Sequence, residues 1–469
     1  MTAEALLFVF MWLSFLVLWF LLLWSYTRSV FSITMPNILL ASMILFQFVG
    51  LIFLFFQLDQ YRASEVTDQV ILLKVVGYTG ICITCLIFGF SLARRMTGYL
   101  DDVGQGKPVM EVDFLAASKL EHSIMFFLGI ISIFVLYRYF AVVGLENVVI
   151  LNALNLVGSG NSNLTALRSA MSNNFEGDFY WYDLFMRKYL TFYSVFLYLN
   201  FLGSSKKRWV LILFIAFFLI TLLSLASTGE KAPVLLFLAS LFVAREYVKN
   251  NGRADGKKIF ALFGALMLVA SIFYIFLMNI DNVYLGLLST LSRAFTGSLE
   301  PAYHYLELFP SEIGFLHGSS FPNPKGIFPI EGFLLTYEVW NRVHPEYYAL
   351  GLQGSMPAAF WAEAYANFGP IGVVVVSILV GIYVYVLNYF LVRVKSRALT
   401  VALIVFSIFH FRSLAETNFS QYLMDTTFAF FVFVTITALT VLHKGRIRLR
   451  QSQSQPRPSR HDYFPQKGQ

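Results

Sequence analysis

Long apolar runs separated by short polar stretches set the pattern of this chain. Eleven runs approach the roughly 20 residues needed to cross a hydrocarbon core about 30 Å thick. They lie at about 5–26, 35–57, 70–93, 124–143, 180–203, 209–227, 232–247, 259–279, 369–392, 399–412 and 422–442. No ten-residue alternation typical of a barrel strand appears, and only helices or closed barrels satisfy backbone polar groups in lipid. The pattern therefore predicts an all-α polytopic membrane protein of about 11 transmembrane helices. The first run lacks a basic leader and is too long for a signal-peptide core, so it reads as a retained helix.

Two polar intervals stand out, at 144–179 and 281–368, and intervals of this length are usually functional. The second holds seven of the 14 prolines and three of the seven histidines. Residues 1–442 form one transmembrane helical domain that includes both intervals. The stretch 443–469 has no apolar period and reads as a basic, disordered tail.

Composition narrows the class. Charged residues make up 13% of the 469 and aromatic residues 17%, against about 25% charged in an average soluble domain. A soluble or nucleic-acid-binding module is excluded. Cys82 and Cys85 are the two cysteines and lie mid-span, which leaves no disulfide framework or cysteine zinc site. Of the 34 Lys and Arg residues, 23 fall after the first, third, fifth, seventh and ninth runs and in the tail. By the positive-inside rule that side is cytoplasmic. The N-terminus and both long intervals then lie outside, and the C-terminus is cytoplasmic.

Cations that remain on the outside despite this bias are informative: Arg168, Arg187, Lys188, Lys231, Arg293, Lys325, Arg342 and Arg412. In Val283–His304, Leu287, Leu288, Leu291 and Phe295 recur at helical spacing. On one continuous helix, Arg293, Glu300 and His304 would share the opposite face. Pro301 predicts a bend near Gly297. Glu338 and Arg342, and again Arg412 and Glu416, are four apart, the spacing of helical ion pairs. Lys231 opens a predicted helix after a tight turn, where an anion is favoured. A polar stripe of this kind equally suits an interfacial helix with salt-bridged charges. No acidic cluster with metal-ligand spacing is visible, and no metal or cofactor is expected.

The stretch Gly351-Leu-Gln-Gly354-Ser-Met-Pro357 leads into Trp361-Ala-Glu363-Ala-Tyr365-Ala-Asn367-Phe368-Gly369-Pro-Ile-Gly372. With His344-Pro345-Glu346 and Ser227-Thr-Gly-Glu-Lys231-Ala-Pro233, it resembles the bacterial oligosaccharide repeat-unit (O-antigen, Wzy-type) polymerases. The resemblance implies a plan similar to the C-type membrane glycosyltransferases, in a bacterial inner membrane with the active site facing the periplasm. It implies joining of undecaprenyl-diphosphate-linked oligosaccharide units, with a chain-length regulator and a flippase as candidate partners beside the lipid bilayer. Such chemistry needs cations for the diphosphate leaving group, for which Arg168, Lys231, Arg293, Arg342 and Arg412 are the candidates. It also needs a base for the acceptor hydroxyl, from Glu300, His304 or His344. The alternatives are an O-antigen ligase and a lipid-linked sugar flippase or other transporter. A transporter should carry its charges near mid-membrane and show repeat symmetry, whereas these charges gather in the outside intervals.

Overall fold

The computed structural model describes residues 2–26, 32–59, 62, 65–97, 117–148, 150, 179–203, 208–227, 229–278, 282–394 and 397–454. Among them the regular structure is helical, with one isolated bridge between Ser32 and Arg253. In chain order the long helices are α1 (Ala3–Tyr26), α2 (Met35–Phe55), α3 (Gln69–Thr97), α4 (Lys119–Val143), α5 (179–203), α6 (Arg208–Ser227), α7 (Lys231–Asn250) and α8 (Gly256–Met278). The large interval then contributes the short helices α9 (Val283–Phe295), α10 (Leu299–Leu308), α11 (Leu335–Val343) and α12 (Pro345–Ala349). Three more follow: α13 (Phe360–Arg393), α14 (Ala398–Arg412) and α15 (Thr426–Ser454).

Nine helices among the described residues are long and apolar enough to cross a bilayer, so this is a multi-pass helical membrane protein. The other two predicted spans, α5 and α7, are helical but less uniformly apolar. A π-helical segment, Asp183–Tyr189, interrupts α5 and carries three charges. Lys231, Arg245, Glu246 and Lys249 punctuate α7. α15 continues to Ser454, past Leu442 where the apolar pattern ends.

Large apolar side chains stay exposed on α1, α4, α6, α8 and α13, among them Phe10, Phe20, Phe127, Ile212, Phe260 and Leu379. A bilayer supplies the apolar surroundings that such surfaces need. At the centre, α3 packs along α13 through small residues. A Cβ on Gly89 would meet the Ile378 carbonyl oxygen at 2.5 Å, and one on Gly381 would meet that of Leu86 at 2.8 Å. Small residues let helix backbones approach closely, which drives packing where lipid removes the hydrophobic incentive.

The bundle has two distinct ends. At one, the Ile33 amide donates to the Gly252 carbonyl (2.8 Å), the Ala117 amide to Asn200 Oδ1 (3.0 Å), and Arg397 pairs with Glu121 (3.3 Å). These are the ends of the predicted basic loops. The other end, here the loop end, gathers the turn after α2, the start of α5, the turn before α7, all of α9–α12 and the α14–α15 connection.

At the loop end α13 has a break. Gly369 adopts φ 64°, ψ −155°, followed by Pro370. Proline removes the helical hydrogen bond and glycine tolerates the left-handed backbone. The segment before this break is a bracket for the large interval. Asn367 Oδ1 accepts from the Gly318 amide (2.9 Å) and its Nδ2 donates to Ser320 Oγ (2.8 Å). Glu363 accepts from Ser320 Oγ (2.8 Å) and from the Ser420 amide (2.9 Å). Both side chains are fully buried. In this chain the Glu-Ala-Tyr-Ala-Asn-Phe-Gly stretch therefore ties loop segments together.

Candidate functional site

Two groups of polar side chains lie at the loop end. The first forms where the turn after α2 meets α9 and α10. Asp59 is buried and accepts from Ser292 Oγ (2.7 Å) and from the Thr296 hydroxyl. Arg62 places Nε 2.6 Å from Glu300 Oε2 and donates to Ser292 Oγ at 2.5 Å. Glu65, Glu300 and His344 each bring a ligand atom within 4.8 Å of the others. Among the described residues these three form the group that could hold a metal ion, a cluster that sequence spacing did not reveal. Arg62 already occupies one Glu300 oxygen and competes with a cation there. Burial pushes the Glu300 carboxyl above its ordinary value; Arg62 opposes this, and the neighbouring Glu65 reinforces it.

The expected stripe of Arg293, Glu300 and His304 does not form. The chain leaves the helix at Thr296–Ser298, near the predicted bend, so α9 and α10 do not share a face register. Arg293 is exposed on α9. His304 is buried; its Nδ1 lies 2.8 Å from Glu307 Oε2, and its Nε2 is enclosed without a partner. Glu300 and His344, 44 positions apart in sequence, are brought together by the folding of the large interval. Arg342 is exposed and makes no ion pair with Glu338 among the described residues. The other expected pair is present: Arg412 reaches Glu416 at 2.5 and 3.1 Å and lies 5.2 Å from the Phe46 ring centroid. Arg168 lies outside the described residues.

The second group borders a cavity of about 270 Å³ between α5, α7 and α14. Asp183, Arg187, Lys188, His410 and Ser413 give it a polar part, while Val195, Phe237, Ala402, Val405 and Phe406 give it apolar walls. The π-helical segment explains why two cations meet one carboxylate. A π-helix repeats at i→i+5 rather than i→i+4. Lys188, five residues after Asp183, lies 2.9 Å from Oδ2, and Arg187 lies 3.5 Å from Oδ1. Arg187 also pairs with Glu230, just before α7 begins. Lys231 is the first residue of α7, so the positive end of that helix stands beside the same group.

His410 is held on three sides. Its Nε2 pairs with Asp425, and its ring lies between Phe406 (centroids 5.3 Å apart, planes 16°) and Phe428 (6.0 Å, 10°). The other Asp425 oxygen accepts from the Phe428 amide at 2.8 Å, capping the start of α15. The carboxylate is therefore fixed from both directions, and the imidazole Nδ1 makes no hydrogen bond among the described residues.

Sequence reasoning passed over Asp59, Arg62 and Glu65, and over His410 with Asp425. The signal for the first set is Asp-Gln-Tyr-Arg-Ala-Ser-Glu, a charged run between two apolar spans on the side of the large interval. For the second it is a histidine inside the apolar run of α14 and an aspartate just before the last span. No known protein family, curated protein or solved structure matches this chain.

Proposed function

We propose that the protein is a membrane glycosyltransferase that polymerises undecaprenyl-diphosphate-linked oligosaccharide repeat units. The donor glycan passes from its diphosphate to a hydroxyl on the sugar of a second lipid-linked unit. The observation that carries this reading is the cavity between α5, α7 and α14. Its apolar walls suit the first isoprene units of a polyprenyl chain, and Arg187, Lys188 and the start of α7 suit a diphosphate.

Arg187 is paired with Asp183 and Glu230, and Lys188 with Asp183. Glu230 is the more exposed acidic partner, about one third accessible, so a diphosphate displaces it with the smallest rearrangement. The loop end then faces the periplasm and the C-terminus the cytoplasm, in a bacterial inner membrane. The motif resemblance around Trp361–Gly372 supports the same assignment. The large interval forms the roof over this end, as in the general plan of C-type glycosyltransferases.

The test uses a strain lacking the gene, complemented with wild type, Lys188→Ala or Arg187→Ala, each checked for membrane expression. Extracted surface glycan is separated by length. The expected result is a ladder for wild type and a collapse toward single repeat units for the variants. Accumulated lipid-linked polymer with no surface glycan would instead assign a ligase. Full ladders in both variants would remove the cavity from the mechanism.

A further inference from the structure

We infer that His410 is the catalytic base of the transfer and that Asp425 is its positioning residue, an inference that rests on the polymerase reading above. A general base needs one nitrogen free for the incoming proton, a fixed orientation and access to the substrate. His410 meets all three conditions. It borders the cavity beside Arg187 and Lys188. Its ring is clamped between Phe406 and Phe428, and Asp425 accepts a hydrogen bond from Nε2–H, which leaves Nδ1 as the acceptor nitrogen.

The three sequence-based candidates fit less well. Arg62 holds the Glu300 carboxylate. His304 has one nitrogen on Glu307 and the other enclosed. His344 faces the two carboxylates Glu65 and Glu300.

In the step itself, the acceptor hydroxyl gives its proton to Nδ1 of His410. Its oxygen bonds to the anomeric carbon of the donor glycan as that carbon's bond to the diphosphate oxygen breaks. The electron pair leaves with the diphosphate, and the added negative charge settles beside Arg187 and Lys188. The imidazolium, stabilised by Asp425, then returns its proton to the departing diphosphate or to water.

The experiment uses the full chain in lipid nanodiscs with lipid-linked repeat units extracted from the deletion strain. Rates and KM of chain extension are read from gels. His410→Gln is expected to lower kcat by about 10²–10⁴-fold, the usual share of a general base, with KM little changed. Asp425→Asn keeps a good helix cap and is expected to lower kcat less. Added imidazole is expected to restore part of the activity of His410→Ala.

A wild-type rate retained within about threefold by His410→Gln would overturn the inference while leaving the polymerase reading intact. So would a loss in His410→Ala that appears only in KM and is not relieved by imidazole, because that pattern marks a structural role. Wild-type protein that extends no chain would overturn the polymerase reading and this inference together.

Discussion

The group around Arg62 and the group around Arg187 stand at the same end of the bundle and use the same residue types, yet they are built differently. Around Arg62 the partners come from a turn and two short helices, and the guanidinium is divided among Glu300, Ser292 and Asp59. Its carboxylates are satisfied from within, and the result is a clamp that holds α9 and α10 against α2. Around Arg187 the partners border an apolar void, and one of them, Glu230, is partly open to solvent. Charge pairs alone do not distinguish a clamp from a binding site. The void that adjoins Arg187 and the histidine held by Asp425 at its edge are what single out the second group.

The sharpest way to break this contrast is Arg62→Ala. It leaves the buried Asp59 and the half-buried Glu300 without their cation, and removing one partner of a buried pair typically costs about 3–5 kcal/mol, an upper bound here. Thermal or denaturant unfolding in detergent should show a loss of up to that size. Lys188→Ala, at a side chain over one third exposed, should leave the unfolding midpoint nearly unchanged while reducing transfer. If the two variants exchange these behaviours, the assignment of clamp and site is reversed.

Asn367→Ala tests the bracket that supports both groups. It leaves the Gly318 amide without its acceptor, at about 1–3 kcal/mol, and removes one donor from the Ser320 hydroxyl, which keeps Glu363. The measurement is the unfolding midpoint together with protease sensitivity of the large interval.

A subtler effect concerns pH. Glu300 binds its proton more tightly folded than unfolded. Its contribution therefore favours the folded chain as pH falls from neutral toward the ordinary glutamate range. That contribution is lost as pH rises through the raised folded value. Midpoints measured across this window should slope less in Glu300→Gln than in wild type. The smallest effects belong to Arg293→Ala and Arg342→Ala: both side chains are exposed, so stability should move by no more than about 0.5 kcal/mol.

The sequence was most informative where one physical signal suffices. Span positions follow from apolar run length, and the interval from 281 to 368 follows from the loss of that run. The break after Phe295 was legible from Gly297 and Pro301. Helix-face arithmetic failed at the same place, because three non-helical residues erase the angular relation between Arg293 and Glu300. The pairing of Arg412 with Glu416 is local and was readable. The meeting of Glu300 with His344 and Arg62 depends on how a long interval folds back, and no spacing encodes that. His410 and Asp425 are only 15 apart, but a turn of two short 3₁₀ segments brings them together.

The π-helical turn of α5 carries a lesson about how such a site is acquired or lost. One residue of an α-helix corresponds to about 100° of rotation, and the wide turn absorbs one extra residue without shortening the span that follows. Deleting a single residue within 183–189 would let α5 close into a regular helix. Tyr180 and Asp183 would then swing around the axis relative to Leu190–Gly203, by about the 100° that one helical residue spans. The register of the membrane-crossing half would be untouched. A one-codon change can therefore turn the charged mouth of the cavity relative to an otherwise unaltered bundle, and a one-codon insertion into a plain helix can do the same in reverse.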